Sequence, residues 1–308
     1  MKIFSKLFLL LLLLVTTSII IGGCSKDDNK TYTLSVNKIG TGGTVNISPF
    51  KDQYKKNEVV TLTAQADTDW DFACWEGSGF DGNRNTEITI TMTDNIKLNA
   101  IFGQITDLIE DFSDNSNNWS EGTSENGNTW QFTADEKYSM TLNNPNYKMW
   151  GFPNKFITQN FGAEVEFEFT TENYVEAGFL FNFQDIENYY TFQISIYGNY
   201  NISRKYNNNW ETVVDWTDAS VDETGVIKIA ISKNNDKYTF YADDIYLTEI
   251  EAKNNIPYLA LLVENEDVEP TKVLFDNYKS TYISIPNTTA QTNQINSNIK
   301  MESSNTSY

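Results

Sequence analysis

No histidine occurs anywhere in the 308 residues. That absence excludes a Ser-His-Asp or Cys-His nucleophilic site and any His-ligated zinc, and it removes the commonest general acid–base side chain. Any catalysis has to rest on carboxylates, tyrosine or lysine. Cysteine is nearly as scarce, with only Cys24 and Cys74 present. Cys24 closes the N-terminal leader, so Cys74 has no partner and no intramolecular disulfide is expected. The stretch Phe72-Ala73-Cys74-Trp75 is apolar, and there a free thiol packs as a small hydrophobe. Basic residues are few, 22 Lys and Arg against 42 Asp and Glu, for a net charge of −20. Such acidity argues against nucleic acid, whose binding depends on Lys and Arg neutralising phosphates. It argues equally against adhesion to anionic lipid through a basic patch. Solubility and self-repulsion at a crowded surface account for it. Long apolar stripes of helical period are also lacking after the leader.

The leader is the one long hydrophobic stretch. Lys2 and Lys6 open it, residues 7–15 are apolar, and Ile19-Ile20-Ile21 ends it. Its length of about 20 residues suits a membrane span, but Ile21-Gly22-Gly23-Cys24 argues for cleavage, because a signal peptidase needs small residues before the cut. Small residues followed directly by cysteine resemble the lipobox of bacterial lipoproteins. The resemblance implies acylation of Cys24, with stable membrane anchoring because each buried methylene contributes roughly 0.8 kcal/mol. An ordinary signal anchor with an incidental cysteine is the alternative. Loss of residues 1–23 removes Lys2 and Lys6 and leaves a net charge of −22. Ser25-Lys26-Asp27-Asp28 resembles the lysine-plus-acidic export signal on surface lipoproteins of some Gram-negative bacteria. That implies an outer-membrane protein exposed at the cell surface; a plain polar tether is the alternative. The expected organisation is a leader at 1–23 and a lipidated tether at 24–30, then units at 31–102 and 103–283. A disordered polar tail is expected at 284–308, where Asn, Thr, Ser and Gln leave little to bury.

What is abundant is aromatic and β-prone. Aromatics make up 14% of the chain, and apolar–polar alternation recurs, so the fold class is all-β. In the first unit, Tyr32, Leu34 and Val36 alternate, Gly40-Thr41-Gly42-Gly43 turns, and strands are expected at 44–47, 59–64, 88–92 and 96–102. The order Gly-Gly-Thr-Val at 42–45, Pro49, Tyr54, Val60-Thr61-Leu62-Thr63-Ala64, Trp70-x-Phe72-x-x-Trp75-x-Gly77, Ile90-Thr91-Met92 and Ala100-x-Phe102 resembles the internalin B-type bacterial surface repeat. The resemblance implies a small β-rich spacer or interaction module and no enzyme. A short joint is expected at 103–109.

In the second unit strands are expected at 130–133, 137–142, 161–170, 176–183, 189–196, 200–206, 210–214, 225–232, 237–241, 245–250, 257–263 and 273–278. The turns between them are rich in Asn, Asp and Gly. That many strands in one unit imply two stacked antiparallel sheets. Asp111-Phe112-Ser113, Trp119, Ala177-Gly178-Phe179-Leu180-Phe181, Asn188-Tyr189-Tyr190-x-Phe192-x-Ile194, Tyr200, Trp210-x-x-Val213-Val214-Asp215-Trp216 and Phe275-Asp276-Asn277 resemble, in that order, concanavalin A-like, laminin G-like jelly rolls. The resemblance implies a jelly-roll sandwich, a fold that hosts lectins, glycosidases and plain adhesion modules alike.

Three constellations carry candidate chemistry. In Glu164-Val165-Glu166-Phe167-Glu168 the carboxylates share one face of a strand. The pattern resembles the alternating Glu-x-Asp-x-Glu strand of some sandwich-fold retaining glycosidases, with Glu in place of the middle Asp. The resemblance implies Glu164 and Glu168 as a nucleophile and acid pair, while a solvated strand face explains the same pattern. Trp150, Tyr174, Tyr197, Tyr200 and Trp210 fall near expected loops or strand ends, where aromatic faces stack on sugar C–H bonds. Tyr189, Phe192, Trp216 and Phe275 are expected in the core. Asp111 and Asp114 near the first strand and Asp276 in the last are candidate ligands for a structural Ca²⁺, or else caps of their own turns. The expected function is glycan binding or adhesion at the cell surface, with a carboxylate-dependent glycoside hydrolase or a non-catalytic structural role as alternatives.

Overall fold

The computed structural model describes residues 30–252 and 256–285 and the backbone of 301–303. Cys24, with the leader and the tether up to residue 29, lies outside the described residues. The fold is all-β, and no helix occurs among the described residues.

The N-terminal unit contains β1 (Thr31–Tyr32), β2 (Leu34–Ile39), β3 (Gly43–Ser48), β4 (Tyr54–Lys55), β5 (Val59–Ala66), β6 (Trp70–Glu76), β7 (Glu87–Thr91) and β8 (Ile96–Glu110). Strands β3, β5 and β7 form one antiparallel sheet. Val60, Leu62 and Ala64 of β5 are buried while Thr61 and Thr63 between them are not, the period of two that a half-covered strand requires. Phe72 packs at ring distances of 5.2 Å from Trp75 and 5.5 Å from Phe102. The turn before β3 needs glycine for close approach, since a Cβ on Gly43 would sit 2.4 Å from the Phe102 ring.

The joint expected at 103–109 is instead continuous strand. The first part of β8 pairs with β2 and β6, and the last part pairs with the long sandwich strand Thr271–Ser284, from Gln104↔Ser284 to Glu110↔Tyr278. The two units therefore share a sheet rather than hang on a linker. Arg84 fastens them further. Its guanidinium donates to the carbonyl of Ala73 at 3.3 Å and to those of Ile157 and Pro257 in the sandwich. Gln159 Nε2 donates back to the carbonyls of Phe72 and Arg84 at 3.2 and 3.1 Å.

The second unit continues with β9 (Gly122–Thr123), β10 (Thr129–Phe132), β11 (Tyr138–Leu142), β12 (Tyr147–Gly151), β13 (Phe156–Ile157), β14 (Phe161–Phe169), β15 (Val175–Asp185) and β16 (Asn188–Ser195). It closes with β17 (Asn199–Tyr206), β18 (Asn209–Asp218), β19 (Ile227–Asn234), β20 (Lys237–Ala242), β21 (Ile245–Glu251), β22 (Leu259–Asn265), β23 (Thr271–Ser284) and β24 (Met301–Ser303). One sheet runs β21-β20-β19-β14-β23-β11-β10-β9, and the other β18-β17-β16-β15-β22-β12-β24. Of the tail expected to be disordered, Ser284 ends β23, Ile285 packs against the cluster around Cys74 and Ile283, and the backbone of β24 pairs with β12; the rest lies outside the described residues. Tight hairpins join neighbours at Asn207-Asn208 and Asp243-Asp244, all four with positive φ, the conformation that matches strand twist and that Asn and Asp tolerate.

The two inner faces meet in an aromatic core. Phe240 of the first sheet lies 5.4 Å from Phe181 and 4.9 Å from Phe192 of the second. The result is the two-sheet antiparallel sandwich expected from the alternation.

Candidate functional site

The outer face of the second sheet is the unusual surface of the molecule. Along β15, Val175, Ala177, Phe179 and Phe181 point into the core, so Glu176 and Leu180 must point out. By the same alternation Glu264 and Leu262 leave β22 outward, and Gln193 and Tyr189 leave β16 outward. Yet Glu176, Gln193 and Glu264 are all buried. Part of this face is sealed by a second apolar cluster containing Trp150, Phe152, Phe183, Tyr189, Tyr258 and Leu262. Beside it opens a cleft of about 380 Å³ whose lining includes Lys148, Glu176, Gln193, Trp210, Trp216 and Glu264.

The floor of the cleft is a closed polar network. Glu264 stands in register with Glu176 on one side and with Lys148 on the other. The Lys148 ammonium bonds Glu264 Oε2 and sits 4.3 Å from the centre of the Trp210 ring. Gln193 Nε2 donates to Glu176 Oε2 at 2.8 Å and to Glu264 Oε2 at 2.9 Å. The Tyr174 hydroxyl donates to Glu176 Oε1 at 2.7 Å. Burial, and then the adjacent Glu264 charge, push the Glu176 carboxyl well above the ordinary carboxyl range. Burial and Glu264 also raise Glu266, half-buried at the cleft edge.

Trp216 forms the accessible wall. It was expected in the core, but it is 40% exposed and lines the cleft. A bulge explains the reversal. Between the pairs Ile202↔Val214 and Tyr200↔Thr217, β18 carries one residue more than β17, which turns Trp216 to the face opposite Val214.

Among the aromatics expected at a rim, Trp210 lines the cleft and Tyr174 anchors its floor. Tyr197 is 65% exposed, with its ring 5.7 Å from that of Tyr174. Trp150 and Tyr200 are not rim residues. Trp150 is 4% exposed and packed against Phe183 and Tyr189, because 147–151 is a strand under the aromatic cluster and not a loop. Tyr200 is 5% exposed and faces inward against Phe192. Tyr189 is buried as expected, but on the outer face.

The acidic strand lies on the opposite side of the sandwich. Val165 and Phe167 fill the core, and the three carboxylates of β14 face out. Glu164 pairs with Lys279 at 2.6 Å, Glu168 with Lys137 at 2.7 Å, and Glu166 accepts from Asn277 Nδ2 at 2.7 Å. The end of β8, before Asp111, and β23, which holds Asp276, are neighbours, as the calcium reading requires, but the acids do not converge. Asp111 accepts from the Ser113 amide at 3.1 Å, Asp114 from the Ser116 amide at 2.8 Å and Asp276 from the Asn277 amide at 2.8 Å. Among the described residues no group of three or more ligating side chains is placed to hold a metal ion.

The sequence reading missed Glu176, Gln193, Glu264 and Lys148. Their signal is a charged or amide side chain interrupting an otherwise apolar strand, as in Val175-Glu176-Ala177 and Leu262-Val263-Glu264.

Residues 32–106 match the family model described as a divergent InlB B-repeat domain. No curated protein matches the chain. Solved structures similar to it include a carbohydrate-binding module from Bacillus subtilis, at 12% identity over 52% of this chain and 94% of that one, with a TM-score of 0.40. A beta-glucanase from Bacillus licheniformis is similar at 12% identity over 58% and 98%, with a TM-score of 0.43. A xylan beta-1,4-xylosidase from Bacillus halodurans is similar at 7% identity over 73% and 50%, with a TM-score of 0.41.

Proposed function

We propose that this chain is a lipid-anchored protein of the bacterial outer surface whose sandwich binds a saccharide in the cleft beside Trp216. One observation carries the binding reading: an exposed indole stands over a cleft otherwise lined by side chains that bond hydroxyls, Asn201, Ser203 and Thr212 among them. A sugar offers C–H bonds to the ring and hydroxyls to the amides, so both halves of the lining are used. Binding fits better than hydrolysis. A nucleophile and a general acid must be free to meet the scissile bond, whereas Glu264 is held by Lys148 and Gln193, and Glu176 by Tyr174 and Gln193. The anchoring half rests on Gly22-Gly23-Cys24 and Ser25-Lys26-Asp27-Asp28.

Glycan-array binding by the protein and its Trp216→Ala variant tests the first half. Loss of one stacking ring worth up to about 1.5 kcal/mol weakens binding roughly tenfold without lowering Tm. Unchanged binding by the variant, or no glycan bound by either, contradicts the reading. Reducing-sugar release abolished in Glu176→Gln or Glu264→Gln would make the protein a hydrolase instead. For the anchor, Cys24→Ser is expected to abolish palmitate incorporation in cells, and protease added to intact cells is expected to digest the wild-type protein.

A further inference from the structure

The charges of the cleft narrow the saccharide class. Among the described residues four glutamates line it, Glu176, Glu211, Glu264 and Glu266, against one cation, Lys148. That lysine is already spent on Glu264 and on the Trp210 face. Glu211 is likewise occupied by Arg204. Glu266 is different: half-buried at the cleft edge, it has no salt bridge among the described residues.

Resting on the saccharide reading of this cleft, we propose that the ligand is an amine-bearing saccharide, of the class of deacetylated hexosamine polymers, recognised through Glu266 and the face of Trp216. A protonated amine is drawn to an unpaired carboxylate in a partly desolvated site more strongly than in water, and the indole face adds a cation–π attraction. A uronate or sulfated sugar meets only like charge there, because no cation among the described lining residues is left to receive it. An N-acetylated sugar fits the hydroxyl-bonding wall but gives Glu266 no charge to answer. The groups facing Glu176 reinforce the preference. They are Tyr174 before β15, Lys148 on β12, Glu264 on β22, Glu266 just after β22, and the uncharged Gln193 on β16. A cation arriving among them relieves the crowding of carboxylates, whereas an anion worsens it.

Calorimetric titration of the full chain with the hexamers of glucosamine, N-acetylglucosamine and galacturonate tests the proposal. The glucosamine hexamer is expected to bind at least about tenfold more tightly than the other two, a difference of one ordinary ion pair in a partly buried site. Glu266→Gln is expected to erase that preference while leaving affinity for the acetylated hexamer within about twofold and Tm unchanged. Equal or tighter binding of the acetylated or acidic hexamer overturns the proposal. So does a preference for the amine that survives Glu266→Gln, since it then arises from the acidity of the whole surface. If none of the three binds while another glycan binds in a Trp216-dependent way, the amine class falls and the saccharide reading stands. If no glycan binds at all, both fall.

Discussion

Glu176 and Glu264 stand opposite one another on paired strands and accept from the same amide nitrogen of Gln193, at 2.8 and 2.9 Å. Two buried carboxyls drawn to one donor repel each other when both are charged. One lysine answers one of them. The other is left to keep its proton more tightly than a carboxyl in water does.

That asymmetry sets a pH dependence. The folded protein holds the Glu176 proton to higher pH than the unfolded chain, whose value lies near the ordinary 4.5. Below that value both states are protonated and the contribution to stability is complete. It is lost as pH rises from there through the raised folded value. Glu176→Gln mimics the protonated acid and does not lose it. The unfolding free energy of the wild type relative to this variant therefore falls with rising pH, by up to about 1.4 kcal/mol per pH unit. Urea unfolding of both proteins across the acid-to-neutral range measures the difference, and a flat difference would count against it.

Lys148 and Glu264 are buried together. Lys148→Met strands a buried carboxylate and is expected to cost about 3–5 kcal/mol, whereas the double change with Glu264→Leu, which removes both charges, recovers most of that. A double-mutant cycle by denaturant unfolding reads the coupling.

Arg84 is the test of how the two units are joined. Burial lowers its guanidinium to about 10, so its charge is held by the carbonyls around it. Arg84→Ala leaves buried carbonyls without donors and is expected to destabilise the protein by about 3 kcal/mol. Hydrogen exchange should quicken first in residues 71–76 and 155–159, on both sides of the contact. Exchange quickened on one side alone would mean that the contact does not couple the units.

Glu164 and Glu168 are expected to matter little. Their lysine pairs are partly exposed and worth about 0–1 kcal/mol each. Replacing either by Gln should leave saccharide affinity unchanged, because β14 belongs to the other sheet. A loss of binding or activity in either variant would return the acidic strand to consideration.

Cys74 is fully buried where the two units meet, and burial pushes its thiol up to about 12. Iodoacetamide should therefore leave it unmodified in the native protein and label it on unfolding, as mass spectrometry would show.

The expected strands of the second unit fall on β10, β11 and β14–β23, displaced by a few residues at most ends, because most alternate cleanly and end in Asn- or Asp-rich turns. The strand β12 escaped notice. Tyr147-Lys148-Met149-Trp150-Gly151 follows Asn143-Asn144-Pro145-Asn146 and carries a lysine, so it reads as loop. With it went the correct placement of Trp150. The joint at 103–109 was misread because Gly103, Asp107 and the polar residues around them look like a linker, when they are an edge made continuous by pairing with β23. Trp216 went wrong through a single extra residue in β18, which alternation cannot foresee.

By itself the sequence determined the β class, the repeat-then-sandwich order, the lack of histidine chemistry and the acidic character, because composition and a period of two are local properties. The cleft was decided only by tertiary structure. Alternation assigns residues to two faces, but it does not say that the outer face of one sheet is covered at one end and open at the other. Nor can it bring Lys148, Glu176, Gln193 and Glu264 together, since their contact depends on which strands become neighbours. The cleft is thus a consequence of strand order and one bulge.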